Sequence, residues 1–307
     1  MDATRRAFLS GSAAALAAGA FGRQLFASQQ PAAPPAAPVV PVFTAIRRNV
    51  GYFTGMGGTI GYLINAAGVA VIDSQFPNTA TMCLEGLNQR SGSRPVDVLA
   101  NTHHHGDHTG GNIAFKGVAK KVVSHERAAA FMRQPPGRPA PTTEQLYPTE
   151  TFTDTWRMPI GDEIISGKYY GAAHTSGDVV LTFEQANVAH MGDLMFNQRH
   201  PVVDRPAGAS LQHWITVLEQ ASAAHHADTL FIFGHGGPGA SVTGSRRDLM
   251  TMRDYLTALL ARVKSERAAG RTKEQITGAT DVLKGFEASG PLNAAVLTAA
   301  FDELAAG

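Results

Sequence analysis

Short runs of apolar, β-branched and aromatic residues, separated by turns rich in glycine and asparagine, follow one another from about residue 42. Such runs predict β-strands, and one of them, TIGYLINAAGVAVIDS, is interrupted at Asn65–Gly68, which predicts a hairpin. KKVVSHERAAAF is expected to begin as a strand and to continue into a helix. The other runs with strand character are VFTAIRRNVGYFTG, PVDVLANT, TFTDTWRMPIG, EIISGKYYGAAH, DVVLTFEQ, NVAHMGDLMF and TLFIFGHG.

Apolar residues spaced three and four positions apart predict helices in three further segments: TATMCLEGLNQRS, SLQHWITVLEQASAAH and the tail from Ser245. Ser245 is expected to cap the start of the tail helix, and Gly270 to follow its end. Thr272 with Gln275 predicts a capping box for one more helix. The apolar face of the tail helix is formed by Leu249, Met252, Leu256, Leu259 and Val263.

The order of these elements is strands, helix, strand, helix, strands, helix, strand and helices. This order predicts a layered α/β domain in which helices cover mixed sheets. The sequence shows no internal repeat and no break between domains, so residues 42–307 are expected to form one domain. Residues 134–148 contain five prolines and are expected to form an irregular loop beside the binding pocket, as is the 198–210 segment.

The first 27 residues have the features of an export signal. Arg5 and Arg6 precede Phe8 and Leu9, and an alanine- and glycine-rich apolar run follows, which resembles a bacterial twin-arginine signal. The resemblance implies recognition by the twin-arginine export machinery and a periplasmic or secreted protein. The alternative is an alanine-rich leader with two incidental arginines. The run is too short for a transmembrane span, so no stable membrane anchor is expected. Residues 28–41 form a Pro/Ala-rich linker.

Composition narrows the range of functions. Hydrophobic residues make up 44% of the chain and charged residues 17%, which is typical of a globular protein. The net charge of +1 and the absence of a basic stripe argue against a nucleic-acid partner. Cys83 is the single cysteine, so it is expected to fill space in the core rather than to form an internal disulfide. A small molecule is therefore the expected binding partner.

Four histidines and an aspartate are concentrated in NTHHHGDHTGG, residues 101–111. His103 and His105 alternate to the same side of an extended chain, so both can reach one cation, whereas His104 points away. Gly106 is expected to allow a sharp turn that directs the next two residues, Asp107 and His108, to a second cation. Taken alone, such a stretch is as consistent with a solvated loop as with a metal site.

Three more residues that can bind metals follow apolar strands beside glycine. These are His174 in GAAHTSGD, Asp193 in HMGDLMF and His235 in FIFGHGGPG. A catalytic zinc ion has about three protein ligands and an open position. The histidine-rich stretch therefore needs such partners from elsewhere in the chain. The recurrence of one pattern at four places favours a metal site over four unrelated surface residues.

HHHGDH matches the His-x-His-x-Asp-His motif of the metallo-β-lactamase superfamily, and the later residues resemble the rest of that family's ligand series. The resemblance covers about residues 42–262. It implies an αββα four-layer sandwich with the metals at one edge of the two sheets. It also implies two Zn²⁺ ions, with Fe or Mn as alternatives at either position. By the resemblance, His103, His105 and His174 hold the first metal, Asp107, His108 and His235 hold the second, and Asp193 bridges both.

The same resemblance implies a hydrolase in which a metal-bridging hydroxide attacks the carbonyl of an ester, thioester, lactone or amide. Asp107 is the expected catalytic residue, orienting the nucleophile or relaying its proton. Asp193 stands where β-lactamases of the superfamily usually have cysteine or serine, which is closer to the glyoxalase II and lactonase pattern. Three alternatives stay open: an exported β-lactamase, a mononuclear iron persulfide dioxygenase-like enzyme, and a non-catalytic periplasmic zinc-binding protein.

Overall fold

The structure is a computed structural model that describes residues 39–306. The predicted export signal over 1–27 and the linker as far as residue 38 lie outside the described residues. The strands are β1 (Val42–Arg47), β2 (Val50–Thr54), β3 (Ile60–Ile64), β4 (Val69–Ile72), β5 (Val98–Ala100), β6 (Val122–His125), β7 (Glu150–Phe152), β8 (Thr155–Ile160), β9 (Glu163–Tyr169), β10 (Val179–Phe183), β11 (Val188–His190), β12 (Phe196–Asn197), β13 (Leu230–Ile232), β14 (His235–Gly236) and β15 (Thr243–Gly244). The helices are α1 (Pro77–Ser91), α2 (Gly106–Thr109), α3 (Glu126–Arg133), α4 (Leu211–Ala224), α5 (Arg246–Ala268), α6 (Lys273–Thr277) and α7 (Ala294–Ala306).

Two large sheets form the centre of the described domain. The first has seven strands in the order β1-β2-β3-β4-β5-β6-β7, antiparallel as far as β4 and parallel from β4 to β7. The second has six strands in the order β15-β13-β11-β10-β9-β8. Only one pair in that sheet, β11 with β13, is parallel. A short two-stranded sheet pairs β12 with β14.

Side chains alternate between the two faces of each strand, so each sheet has one face toward the other sheet and one face toward helices. In β4, Ala70 and Ile72 join the apolar cluster between the sheets, with Leu181 and Ile232 of the second sheet. The neighbouring Val71 points the other way. Because successive side chains of a strand lie on opposite faces, an apolar run such as VAVI is buried on both sides of its sheet.

Helices cover both outer faces. Helix α1 packs Cys83 and Leu87 against the first sheet. Helices α4, α5 and α7 cover the second sheet and bury Trp214, Leu256 and Leu297. The layers are therefore helix, sheet, sheet and helix, which confirms the αββα fold class. No helix within residues 39–306 has the length and apolar character needed to span a bilayer.

Several local predictions are confirmed. The hairpin at Asn65–Gly68 joins β3 to β4, and the Asn65 side-chain oxygen accepts hydrogen bonds from the Ala67 and Gly68 N–H groups. Ser245 caps α5 in a capping box with Asp248. Thr272 caps α6 in the expected capping box with Gln275. The five apolar residues predicted on one face of α5 are all buried.

The prediction of one continuous strand over TFTDTWRMPIG is wrong. The segment divides at residues 153–154 into β7, which pairs with β6 in the first sheet, and β8, which pairs with β9 in the second. Both halves have strand composition, so the alternation of residues does not reveal that the chain changes sheets there. Residues 134–148 contain neither helix nor strand, as predicted.

Candidate metal centre

All the predicted ligands except His174, which lies between the antiparallel strands β9 and β10, follow the carboxyl ends of two parallel strand pairs, one in each sheet. The histidine-rich stretch follows β5, which lies beside β4. Asp193 follows β11, and His235 follows β13, the neighbour of β11. The N–H of Thr59 donates to the carbonyl of Gly234 across the gap (3.0 Å), which links the sheets at this edge. Because carboxyl ends of parallel strands meet at one edge, ligands distant in sequence converge there.

Three histidines form the first group, with Asp193 as its fourth member. The ligand atoms of His103, His105, His174 and Asp193 all lie within 4.8 Å of one another. His174 Nε2 lies 2.9 Å from His105 Nδ1 and 3.5 Å from Asp193 Oδ2. His103 Nε2 lies 3.8 Å from the same carboxylate oxygen. The ring nitrogens of the three histidines therefore converge near this carboxylate oxygen.

Asp107, His108 and His235 form the second group. His235 Nε2 lies 3.1 Å from Asp107 Oδ2 and 3.3 Å from His108 Nε2. His108 is fully buried, whereas the side chain of Asp107 is 29% exposed. The group therefore extends from the interior to the protein surface, and Asp107 stands at its outer end.

Asp193 lies between the two groups and presents a different oxygen to each. Its Oδ2 faces His103 and His174, and its Oδ1 lies 2.9 Å from His108 Nε2 and 3.3 Å from His235 Nε2. The residue is buried, with 4% of its surface exposed. A buried carboxylate with both oxygens turned to histidine nitrogens has the geometry of a bridge between two cations.

The donor set of the first group suits a divalent metal. Burial, with the neighbouring His105, lowers the pKa of His174 to about 4, and burial with His108 holds the pKa of His103 well below its usual value. Both rings are therefore neutral at neutral pH, which is the form that binds metals. His103 Nε2 is buried without a hydrogen-bond partner in residues 39–306, so it has a free lone pair directed into the group.

The second group carries excess negative potential. Burial opposes protonation of His235, yet Asp193 and Asp107 raise its pKa to about 9. Burial likewise opposes protonation of His108, but Asp193 and Asp73 raise its pKa well above its usual value. These carboxylates therefore stabilise the protonated forms of the buried His108 and His235 rings. A divalent cation bound there can replace that positive charge. Both donor groups fit a pair of divalent metals.

Two aspartates outside the predicted ligand set, Asp73 and Asp204, orient the rings of the candidate ligands. Asp73 Oδ2 accepts a hydrogen bond from His108 Nδ1 (2.8 Å), and the same carboxylate accepts from the Thr102 N–H and hydroxyl. Asp204 Oδ2 accepts from His105 Nε2 (2.8 Å), which leaves His105 Nδ1 directed into the first group. Such carboxylates fix the tautomer and orientation of metal-binding histidines. Asp73 directly follows strand β4, so the strand-end pattern that selected Asp193 could also have identified it.

Glycines allow backbone to approach the ligands closely. An added Cβ would lie 2.1 Å from Asp193 Oδ1 at Gly234, and 2.1 Å from the His108 ring at Gly58. By contrast, the turn expected at Gly106 does not depend on the missing side chain of glycine. Gly106 has no left-handed φ and begins helix α2, which His105 precedes in an extended conformation, and an added Cβ would meet nothing within 4 Å. The turn is made by the helix start.

The remaining histidines lie elsewhere. His104 does not join either group around Asp193, although its Nε2 lies 3.7 Å from Asp204 Oδ2. His200, considered for substrate contact, binds the Tyr255 hydroxyl and the Pro291 carbonyl through its two ring nitrogens. Within residues 39–306, none of the six histidines given no metal role joins a group of potential ligands: His125, His190, His200, His213, His225 and His226.

The chain is similar to known proteins in both sequence and fold. The sequence profile of the metallo-beta-lactamase superfamily matches residues 54–254. A metallo-beta-lactamase type 2 from Bacillus sp. (strain 170) is 25% identical over 197 residues, which cover 63% of this chain and 73% of that protein.

Two solved structures share the fold. A metallo-beta-lactamase from Pontibacter korlensis superposes with a TM-score of 0.60 at 20% identity, covering 71% of this chain and 99% of that one. A stereoselective inverting sec-alkylsulfatase from Pseudomonas sp. superposes with a TM-score of 0.63 at 16% identity, covering 86% of this chain and 50% of that one. Identities this low establish the shared fold and leave the substrate open.

Proposed function

Because the chain belongs to the metallo-beta-lactamase superfamily of metal-dependent hydrolases, we propose that it is a dinuclear zinc enzyme that hydrolyses an ester, thioester, lactone or amide. The observation that carries this proposal is the position of Asp193. One carboxylate turns separate oxygens toward two groups of nitrogen and oxygen donors. A storage site has no need of a shared ligand, whereas a dinuclear hydrolase requires its cations close together.

The chain's residues have distinct parts in this chemistry. His103, His105 and His174 would hold the first metal, and Asp107, His108 and His235 the second, with Asp193 common to both. When bound, such ions lower the pKa of water so that hydroxide forms near neutral pH, and they polarise a carbonyl oxygen. Asp107, the most exposed carboxylate of the ligand set, is placed to orient the attacking water and to accept its proton.

A β-lactam is the second candidate substrate. The matched relative from Bacillus and the structure from Pontibacter korlensis are both named metallo-beta-lactamases. Asp193 favours esters and lactones instead, because it stands where β-lactamases of the superfamily usually have cysteine or serine. We further propose export through the twin-arginine pathway, which the Arg5-Arg6 leader supports and which would place the enzyme in the periplasm or outside the cell.

Metal analysis combined with a substrate panel tests the proposal. Purified protein is expected to contain about two zinc ions per chain and to hydrolyse at least one of the esters, thioesters, lactones and β-lactams. Removal of the metal with a chelator is expected to abolish turnover, and added zinc to restore it. About one iron per chain would indicate the oxygenase alternative. Tightly held zinc without turnover across the panel would indicate the zinc-binding alternative.

Replacing Asp107 by alanine is expected to lower kcat/KM by about 100-fold or more and to weaken the second metal, because one ligand and the proton acceptor are lost together. Asp107→Asn keeps an oxygen donor but cannot accept the proton, so it is expected to retain more metal than activity. Asp162→Ala, an exposed carboxylate paired with Arg48, is the matched control. Full turnover by Asp107→Ala on every hydrolysed substrate would overturn the assignment.

A further inference from the structure

A cavity of about 230 Å³ opens beside the first group of ligands, and none of the chemistry described above uses it. His104, His105 and Gly106 form one side, together with Asp204. The rest of the lining comes largely from α3 and the proline-rich 134–148 segment. Pockets that hold whole drug-sized ligands measure about 300–1,000 Å³, so this cavity suits one substituent of a substrate rather than the entire molecule.

The cavity is connected to the reactive centre through His105. The Nδ1 of this ring is directed into the first group of ligands, and its Nε2 donates to Asp204 at the cavity wall. Gly106, the next residue, is exposed and has open space where a Cβ would stand. A substrate whose carbonyl lies at the metals can therefore extend a substituent past Gly106 into the cavity.

The cavity lining includes apolar side chains and one cationic side chain. Phe131, Met132 and Leu146 supply apolar surface, and several prolines of the 134–148 segment add to it. Arg138 supplies a guanidinium on the same segment. Apolar walls recognise a hydrocarbon group, and one arginine among them recognises a carboxylate or a similar anion.

Arg138 forms no ion pair with a carboxylate in the described part of the chain. Asp204, which lines the cavity, accepts a hydrogen bond from His105, and Glu144 of the 134–148 segment pairs with Lys116. Arg138 lines the cavity and is exposed to solvent. An exposed arginine beside apolar walls can bind an anion at little desolvation cost, because its planar fork is weakly hydrated.

We propose that this cavity selects substrates whose acyl group is a short hydrocarbon chain ending in a carboxylate, with the carboxylate bound by Arg138. The inference deepens the proposed hydrolase function and rests on it for the reaction. The cleaved bond is the ester or thioester bond at the metal centre. The distal carboxylate is unchanged by the reaction and contributes binding and orientation.

Matched p-nitrophenyl esters test the proposal on the metal-loaded enzyme. Half-esters of succinate, glutarate, adipate and suberate are compared with esters of the monocarboxylic acids of equal carbon number. The acid-terminated ester of the best length is expected to have a kcat/KM about tenfold higher than its neutral partner. Arg138→Gln is expected to remove that preference, and Arg138→Lys to retain part of it. Arg247→Gln, an exposed arginine outside the cavity, is expected to change nothing.

Charge reversal and a binding measurement complete the test. Arg138→Glu is expected to prefer the p-nitrophenyl ester of 6-aminohexanoate over that of adipate. Calorimetry compares 3-phenylpropionate with its neutral amide, and the preference for the acid is expected to fall about tenfold in Arg138→Gln. Acid preferences that are absent, or identical in the wild type and Arg138→Gln, overturn the inference. If the enzyme hydrolyses none of the esters but its preference for binding the acid still depends on Arg138, the hydrolase proposal is overturned and the binding inference stands.

Discussion

Replacing Asp193 by alanine is expected to reduce bound zinc from about two ions per chain to one or fewer, and to lower kcat/KM by at least about 1,000-fold. Its two oxygens are the contacts that face both groups of ligands, so one substitution weakens both sites together. Substitution of any one histidine removes a donor from one group. The measurements are zinc per chain after dialysis and turnover of the best substrate from the panel.

Two variants separate the bridging role from simple loss of a ligand. Asp193→Asn keeps the shape of the side chain but removes the charge that attracts two cations, so it is expected to lose metal almost as fully as alanine does. Asp193→Cys offers one sulfur atom, which can bind one cation but has no second oxygen for the other. With cobalt in place of zinc, that variant is expected to show a thiolate-to-metal absorption band and about one tightly held ion. Wild-type zinc content in Asp193→Ala would exclude the bridge.

The grouping of the candidate ligands could be predicted because most of them follow apolar strands and all belong to residue types that bind metals. His235 and Asp193 illustrate this, since β13 and β11 are three-residue apolar strands that end just before them. The αββα layering itself came from the resemblance, because alternation identifies strands without stating which sheet they join. The division of TFTDTWRMPIG between two sheets shows that limit.

The residues that position the ligands were harder to predict. Asp204 lies in the 198–210 segment, where neither periodicity nor spacing marks it, and only the fold brings it 2.8 Å from His105. Asp73 has a left-handed backbone (φ 62°), which aspartate tolerates better than most residues, and it reaches His108 across 35 positions of sequence. The end of β4 marks Asp73 as a candidate, but its pairing with His108 depends on the tertiary structure and leaves no local pattern in the chain.

Glu303 on α7 connects the C-terminal helices to the first group of ligands, although it lies outside the part of the chain that the family profile matches. This buried carboxylate accepts hydrogen bonds from the Ser210 hydroxyl (2.9 Å) and from the N–H groups of Leu211 (2.7 Å) and Gln212 (2.8 Å) at the start of α4. It also pairs with Arg205 (3.1 Å), the neighbour of Asp204. The same segment holds Asp204 against His105, and its Val202 carbonyl accepts a hydrogen bond from His174.

Replacing Glu303 by alanine is expected to lower the free energy of unfolding by about 3 kcal/mol and the melting temperature by roughly 6–10 °C. The reason is that the helix N–H groups and the Arg205 guanidinium lose a buried, charged acceptor. Asp302→Ala is the matched control, because it removes an exposed pair with Lys273 from the neighbouring position of the same helix and is expected to cost at most about 1 kcal/mol.

The same variant is expected to affect the two groups of ligands differently. Loosening the 202–205 segment releases His105 and His174 from their hydrogen-bond partners but leaves His108 held by Asp73. Zinc affinity at the first group is therefore expected to fall about 10- to 100-fold, while the second group keeps its affinity. Competition with a series of chelators of increasing zinc affinity measures the zinc affinity of each group. Equal losses at both groups, or at neither, would show that Glu303 supports the fold without positioning the first metal's ligands.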